Sequence, residues 1–143
     1  MVKLFKPEEE KKIIAAIQAA ELLTSSEIRV HVDQVDKLPV VDAAWIAFKK
    51  LKMDQTKDRN GVLFLLLPHR REYAVIGDEG IHAKVGQNFW QVVKDEVHQH
   101  FILGEFGDGL VAGISMVGQK LHQYFPYTHD DKNELSDDIS YAE

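Results

Sequence analysis

The segment that decides the fold runs from residue 58 to residue 80. It reads Asp-Arg-Asn-Gly-Val-Leu-Phe-Leu-Leu-Leu-Pro-His-Arg-Arg-Glu-Tyr-Ala-Val-Ile-Gly-Asp-Glu-Gly. Every position from Val62 to Leu67 is apolar, which predicts a strand that is buried on both faces of a sheet. Pro68 ends this strand, because proline cannot donate a hydrogen bond to a neighbouring strand. Residues 68–71 then form a turn and residues 72–76 a returning strand, so the segment predicts an antiparallel hairpin.

The hairpin brings acidic residues together. The end of its second strand lies beside the start of its first, so residues 77–80 are expected next to residues 58–60. Both stretches carry carboxylates, Asp58 in the first and Asp78 and Glu79 in the second. The sequence therefore predicts an acidic site at one end of the sheet.

The elements before the hairpin predict a βαβ unit. An apolar period typical of a helix runs over residues 7–23, and residues 27–32 alternate between apolar and polar, as in a half-buried strand. Arg29 and His31 occupy the face of this strand that is predicted to be exposed. Pro39 opens a second helix. The predicted buried side of this helix comprises Val41, Ala44, Trp45, Phe48 and Leu51.

These patterns predict an α/β fold. A strand–helix–strand crossover makes its two strands parallel, which places Glu27, before the first strand, at the same sheet end as the other acids. Two further helices follow, one over about 87–103 and one after residues 104–109, where Asp108 is predicted to be the N-cap. The expected architecture is a three-layer α/β/α sandwich over residues 1–126, with a mostly parallel sheet and one antiparallel hairpin strand.

Charge and composition exclude several classes of protein. Most of the net charge of −6 lies from Asp130 onward, so the body is nearly neutral and has no basic stripe for nucleic acid. Residues 127–143 predict an acidic, disordered tail. The chain has no cysteine, and the sequence shows neither a signal peptide nor an apolar run long enough to span a membrane. A soluble, cytoplasmic monomer is expected.

The predicted acidic site suits a hard divalent cation. Its candidate ligands are Glu27, Asp58, Asp78, Glu79 and Asp108. Ca²⁺ and Mg²⁺ prefer carboxylate, carbonyl and water oxygens, and the glycines at 77–80 and 107–109 could turn carbonyls inward. Each acid also has a local alternative as a helix cap, a turn residue or a solvated strand end.

Other polar residues give weaker signals. The histidines lack the i, i+4 spacing of a helical metal pair, and no histidine is placed to activate Ser25 or Ser26 as a nucleophile. Arg70 and Arg71 could hold a phosphate, but their turn lies at the other end of the sheet from the acids, where solubility is the simpler role.

Four short segments resemble a known family, the TPM domain, which includes thylakoid-lumen proteins and many bacterial proteins. The segments are Thr24-Ser-Ser-Glu-Ile-Arg-Val30, Asp58-Arg-Asn-Gly-Val-Leu-Phe-Leu-Leu66, Gly77-Asp-Glu-Gly-Ile81 and Phe106-Gly-Asp-Gly-Leu110. The resemblance covers about residues 7–125. It implies an α/β/α sandwich, divalent-cation binding near these acids and, for some members, acid phosphatase activity. The chain departs from typical members in lacking a signal peptide and a membrane helix, and in having one extra residue between Gly77 and Gly80.

Three functional hypotheses follow. The first is a soluble Ca²⁺- or Mg²⁺-binding module of regulatory or structural role. The alternative is a weak metal-dependent acid phosphatase, in which the cation would polarise a phosphoryl oxygen. The third is an interaction domain that binds a protein partner. Arg59 is the single cation that the sequence places near the acids, a thin complement for phosphoryl chemistry, so binding ranks above catalysis.

Overall fold

A computed structural model describes residues 4–127 and 137–142. The helices are α1 (Pro7–Glu21), α2 (Val40–Lys50), α3 (Glu79–Phe101) and α4 (Phe106–Leu121). The strands are β1 (Ile28–Val32), β2 (Val62–Leu67), β3 (Glu72–Gly77) and β4 (Ser140–Tyr141). Single 3₁₀ turns at Met53–Gln55 and Pro68–Arg70 precede and follow β2.

The four strands form one sheet in the order β3-β2-β1-β4. β2 pairs antiparallel with β3 and parallel with β1, so the hairpin and the βαβ unit are both confirmed. All six residues of β2 are buried, because the strand lies inside the sheet and both of its faces are covered.

Helices cover both faces of the sheet. α2 packs on one face, against Leu63, Leu65 and Leu67 of β2. α1, α3 and α4 pack on the other face, where Phe64 and Leu66 of the same strand belong to the larger core. The alternation of β2 side chains between two cores explains its unbroken apolar run. The α/β/α sandwich is confirmed.

The predicted buried side of α2 is confirmed for Ala44 and Phe48 and is wrong for Val41 and Trp45. Val41 and Trp45 are exposed, whereas Ala43 and Ala47 are buried beside Ala44 and Phe48. The small alanines let the helix lie close to the sheet, and the larger side chains on its flank stay in solvent.

The prediction of an exposed His31 is also wrong. Its side chain is only 7% exposed, because β4 covers the outer edge of β1. Its Nδ1 hydrogen-bonds to the Ser140 hydroxyl, and its Nε2 lies 3.1 Å from Asp33 Oδ2. Burial lowers the pKa of His31, although the neighbouring Asp33 acts in the opposite direction.

α3 and α4 differ in detail from their predicted bounds. α3 consists of two helical segments joined at Gly86, whose φ of +73° favours glycine. α4 begins at Phe106, so residues 106–109 are its first turn rather than a loop. Glu105 occupies the N-cap position, and the prediction that Asp108 is the N-cap is wrong.

The prediction of a disordered tail is wrong for residues 137–142. Ser140 and Tyr141 pair in parallel with His31 and Val32, and Ala142 N donates a hydrogen bond to Val32 O at 2.9 Å. Ile139 is buried in the larger core. A run with few apolar residues becomes ordered here because its backbone completes the edge of the sheet. The rest of the predicted tail beyond residue 127 lies outside the described residues.

Across the described residues, no helix is both long and apolar enough to cross a membrane.

Candidate functional site

Three separated stretches meet at the end of the sheet where β1 and β2 begin and β3 ends. Val62 pairs with Ile28 on one side and with Gly77 on the other, so the residues just outside these pairs are Glu27 and Asp78. Loop residues 57–61 enter the sheet between them. The convergence predicted from the hairpin is therefore confirmed. This acidic end of the sheet comprises Glu27, Asp58, Arg59, Asp78 and Glu79.

Asp78 and Arg59 form the best-defined contact of the acidic end. Asp78 is buried, with 3% of its surface exposed. Arg59 Nε donates to Asp78 Oδ2 at 2.8 Å and its Nη2 donates to Oδ1 at 3.1 Å, a bidentate pair with directional hydrogen bonds. The hydrogen bonds to Asp78 raise the pKa of Arg59, so the guanidinium stays charged.

Asp78 also begins α3. Its Oδ1 accepts a hydrogen bond from the backbone N–H of Glu79 at 2.8 Å, and as the N-cap it faces the positive end of the helix. Glu79 projects outward and pairs with Arg59 Nη1 at 3.2 Å. One arginine therefore neutralises two carboxylates, one buried and one in solvent.

Arg59 is held by an unusual backbone. Its φ of +50° lies in the left-handed region, which a non-glycine residue adopts at a cost. Its carbonyl accepts a hydrogen bond from Gly80 N at 2.9 Å, which fastens the loop to the first turn of α3. Strained residues of this kind concentrate at functional sites, where the surrounding structure maintains them.

Asp58 is exposed at the tip of the same loop. Its carboxylate makes no hydrogen bond or ion pair with residues 4–127 or 137–142. Its backbone carbonyl lies close to Gly80.

The glycines at 77–80 and 107–109 are predicted from the sequence to adopt unusual backbone angles, but none of them has a positive φ. At these positions there is no room for a larger side chain, because neighbouring atoms lie too close, as the Trp90 ring does at Gly77.

Glu27 belongs to a second group of acids at the edge of β1. Its side chain is buried, with 3% of its surface exposed, and it hydrogen-bonds to the Glu21 side chain. Glu21 also hydrogen-bonds to the Asp137 side chain and accepts from Ile28 N at 3.2 Å. Neighbouring strands are about 4.8 Å apart, so Glu27 and Asp78, two strands apart, are separated by roughly 10 Å between backbones.

Burial, the largest cause, acts together with hydrogen bonds to Asp137 and Glu27 and with their charges to raise the pKa of Glu21 to about 10. Glu21 is also the last residue of α1, where the negative end of the helix disfavours a second negative charge. Glu21 therefore holds a proton at neutral pH, and three neighbouring carboxyl groups avoid full mutual repulsion.

Asp108 does not join the acidic end. It lies in the first turn of α4, where Gly107 packs on Glu9 and Gly109 packs on His100 and Phe101. The other end of α4 is the one near β1, since the Thr24 hydroxyl donates to Leu121 O. The helix is 16 residues long, roughly 24 Å, which separates Asp108 from the acids on β1 and β3.

Sequence reasoning missed Glu21 and Asp137. An acid at the last position of a helix is a readable signal, because it opposes the helix dipole. Asp137 carries no comparable signal, since its position depends on the pairing of β4 with β1.

The arrangement at the acidic end provides carboxylate oxygens and one partly exposed guanidinium. In the described part of the chain, no group of three or more His, Asp or Glu side chains is arranged to hold a metal ion. The Ser26 hydroxyl, next to Glu27, is buried and has no hydrogen-bond partner within that part. Chemically, the site holds one guanidinium between two carboxylates, with the exposed Asp58 on the adjoining loop.

The fold and its acidic end define a small α/β/α sandwich domain whose carboxylates gather where the two central strands begin. The TPM domain model matches residues 1–120, and the chain belongs to the TPM domain family.

Solved structures share this fold. The NMR structure of the BA42 protein from the psychrophilic bacterium Bizionia argentinensis has 39% sequence identity and a TM-score of 0.92, covering 99% of this chain and 98% of that one. The N-terminal domain of a P. gingivalis protein has 19% identity and a TM-score of 0.71, covering 88% of this chain and 83% of that one. The N-terminal domain of the Corynebacterium glutamicum protein cg2496 has 14% identity and a TM-score of 0.66, covering 98% and 81%. No curated protein matches the sequence significantly.

Proposed function

We propose that this domain is a divalent-cation-binding module, for Ca²⁺ or Mg²⁺, with a regulatory or structural role. One observation carries the proposal: Arg59, the positive partner of the buried Asp78 carboxylate, is itself accessible to solvent. Its side chain is 43% exposed while that of Asp78 is 4% exposed, so the cationic partner can leave into solvent and the anionic partner cannot.

A cation would bind by exchange with the guanidinium. Asp78 and Glu79 would be released when Arg59 swings outward, and the exposed Asp58 lies on the adjoining loop. Carboxylates, loop carbonyls and water together supply the six to eight oxygens that Ca²⁺ takes, and Mg²⁺ would retain more of its water. The exchange keeps Asp78 neutralised, which is necessary because an unpaired buried charge is strongly unfavourable.

The exchange would also affect two neighbouring segments of the chain. The 57–61 loop and the first turn of α3 are joined by the hydrogen bond from Gly80 to Arg59, and both would respond to the change of partner. Affinity is expected to be weak, because the cation competes with an arginine that is already in place. Glu27 is left out of the proposed ligand set, since Glu21 engages it.

Added Ca²⁺ is expected to raise the melting temperature, because a ligand that binds only the folded state stabilises it. With 5 mM Ca²⁺ and a dissociation constant of about 10⁻⁴ M, the gain is about 2.3 kcal/mol, or roughly 5–10 °C. Asp78→Asn should remove most of this rise. Calorimetry with and without the cation, together with amide NMR shifts at residues 57–61 and 77–80, provides the measurement.

Two variants sharpen the test. Arg59→Gln removes the competitor, so its melting temperature should be lower without Ca²⁺ but should rise more on addition than that of the wild type. Asp108→Asn is the matched control, since it makes the same chemical change at the far end of α4 and should respond like the wild type. An equal response in wild type and Asp78→Asn would place any cation elsewhere and refute the proposal.

Weak acid phosphatase activity is the second candidate, favoured by one observation: Arg59 is a positive group beside the same carboxylates. Phosphate-monoester hydrolysis requires a reduction of the barrier by well over ~20 kcal/mol, and Arg59 with a bound cation supplies only part of that. Aryl-phosphate hydrolysis at acidic and neutral pH with Mg²⁺ or Ca²⁺ is therefore expected to stay near background. A rate far above background that disappears in both Asp58→Asn and Asp78→Asn would instead make the domain an enzyme.

A further inference from the structure

A cavity of about 620 Å³ opens at the end of the sheet opposite the acids. It lies outside the carboxyl end of β2, next to Leu66 and Pro68, where α/β folds commonly bind their ligands. Its volume falls within the range of about 300–1,000 Å³ that is typical of small-molecule sites. The cation site proposed above plays no part in it.

The wall of the cavity is mostly apolar and includes three aromatic rings in contact with one another. Tyr73 packs edge-on against Phe101, with ring centroids 4.9 Å apart, and Phe101 packs in the same way against Phe106 at 5.2 Å. The Tyr73 hydroxyl donates to Lys94 O at 3.0 Å, which fixes the ring that carries it. Leu4 and Ile102 complete the wall, and Ile102 is 69% exposed. Such a wall favours a hydrocarbon or aromatic body.

One arginine at the same cavity forms no ion pair with any other residue that the structure describes. The turn of the hairpin carries two arginines with different surroundings. The Arg70 side chain is already engaged within the domain. It forms an ion pair with Glu72 at 2.7 Å and donates hydrogen bonds to the carbonyls of Val35 and Leu38. Arg71 lines the cavity and makes no ion pair or hydrogen bond through its side chain with residues 4–127 or 137–142.

The backbone at Arg71 holds it in this position. Its φ of +53° ends the Pro68–Arg70 turn in the left-handed region, a conformation that glycine or asparagine would adopt at lower cost. The charge of Glu72, the acid that lines the cavity, is already paired with Arg70. His98, stacked on Tyr73, is a second donor at the lining. The site therefore combines apolar walls with an arginine that has no partner among the described residues, although the chain as a whole is negative.

We propose that this cavity binds a small amphipathic carboxylate, such as a medium-chain fatty acid, with its chain along the aromatic wall and its carboxylate on Arg71. Guanidinium and carboxylate pair through charge-assisted hydrogen bonds, and the walls bury the chain.

The test uses decanoate and its neutral counterpart, decanol, titrated into the ¹⁵N-labelled protein below their aggregation limits. Decanoate should shift the amides around residues 66, 71–73 and 98–106 in a saturable way. It should bind about fivefold more tightly than decanol, because only decanoate pairs with Arg71. This difference is expected even though the transfer of the alcohol out of water is easier.

Substitutions separate the contribution of Arg71 to binding from the contribution of the apolar wall. Arg71→Gln should weaken decanoate about fivefold and leave decanol unchanged. Lys84→Gln makes the same charge change on an exposed part of α3 away from the cavity and should alter neither. Ile102→Asp changes an exposed wall residue, so the fold should persist while decanoate binding falls more than decanol binding.

Equal affinities for decanoate and decanol, or an unchanged decanoate affinity in Arg71→Gln, would overturn the proposal. Amide NMR shifts confined to the acidic end of the sheet would also overturn the proposal. Concentration-dependent dimerisation through Ile102, with no response to decanoate, would show that this face contacts protein instead.

Discussion

Replacing Gly80 by alanine is expected to lower the free energy of unfolding by about 3 kcal/mol or more, at the upper end of overpacking costs. A Cβ at this position would overlap the backbone carbonyl oxygen of Asp58 and lie 2.6 Å from that of Arg59. Neither atom can rotate away as a side chain could. The hydrogen bond from Gly80 N to Arg59 O, 2.9 Å long, would have to lengthen or break.

Urea unfolding of Gly80→Ala beside Gly86→Ala separates two reasons for a glycine: the lack of space for a Cβ, and a positive φ. Gly86 has nothing within 4 Å of its position for a Cβ but has a φ of +73°, so its substitution should cost about 1 kcal/mol through the backbone alone. Gly80 presents the reverse case. If Gly80→Ala proves no less stable than Gly86→Ala, the loop and α3 are not held as tightly as the structure describes.

The effect of Gly80→Ala should extend to the cation response, because the same contact sets the distance between the loop carrying Asp58 and the helix carrying Asp78. The variant should therefore show a smaller rise in melting temperature with Ca²⁺ than the wild type. A full response in a destabilised variant would mean that the cation does not use both stretches.

The central part of the fold could be predicted because its signals are local. The apolar run of β2 encodes burial on both faces, and Pro68 encodes the turn that follows. Pairing of the hairpin then places Asp78 beside the 57–61 loop with no further assumption. The parallel pairing of β1 and β2 follows from the intervening helix in the same way.

The remaining errors arise from contacts between distant parts of the chain. The exposure of Trp45 depends on how closely the alanines of α2 approach the sheet, and the burial of His31 depends on β4. Glycines near acids suggest carbonyl ligands by pattern, but these glycines accommodate close neighbours. Asp108 shares a family motif with the other acids, yet the direction of α4 places it at the opposite end.

The pairing of β4 also creates the acid cluster that the sequence does not reveal. Asp137 precedes β4 and is brought to Glu21 and Glu27, at the junction of α1 and β1. Two carboxyl groups that flank the connection from α1 to β1 and a third from a distant stretch then share one site, and protonation of Glu21 relieves their repulsion. Folding therefore takes up a proton at neutral pH, which makes stability depend on pH.

Glu21→Gln is expected to stabilise the domain at neutral and alkaline pH. The pKa of Glu21 is about 10 in the folded chain and 4.5 as a free side chain, so above pH 4.5 the unfolded state releases a proton that the folded state keeps. This group therefore lowers the free energy of unfolding as pH rises from about 4.5 towards 10, by at most about 1.4 kcal/mol per pH unit. Allowing for screening at a partly exposed side chain, we expect a gain of about 1–2 kcal/mol for glutamine at pH 8.

Urea unfolding of wild type and variant at pH 5, 6, 7 and 8, without divalent cations, measures this difference. Glutamine retains an oxygen for Ile28 N and offers an amide to Asp137 and Glu27, so the contacts survive without the proton. His31 has a lowered pKa and loses stability as pH falls below about 6.5, the opposite direction, but it is present in both proteins and cancels in the difference. Glu8→Gln, in the exposed first turn of α1, is the matched control and should show no such trend. A variant destabilised equally at pH 5 and pH 8 would mean that Glu21 is ionised in the folded domain and that the three carboxyl groups share no proton.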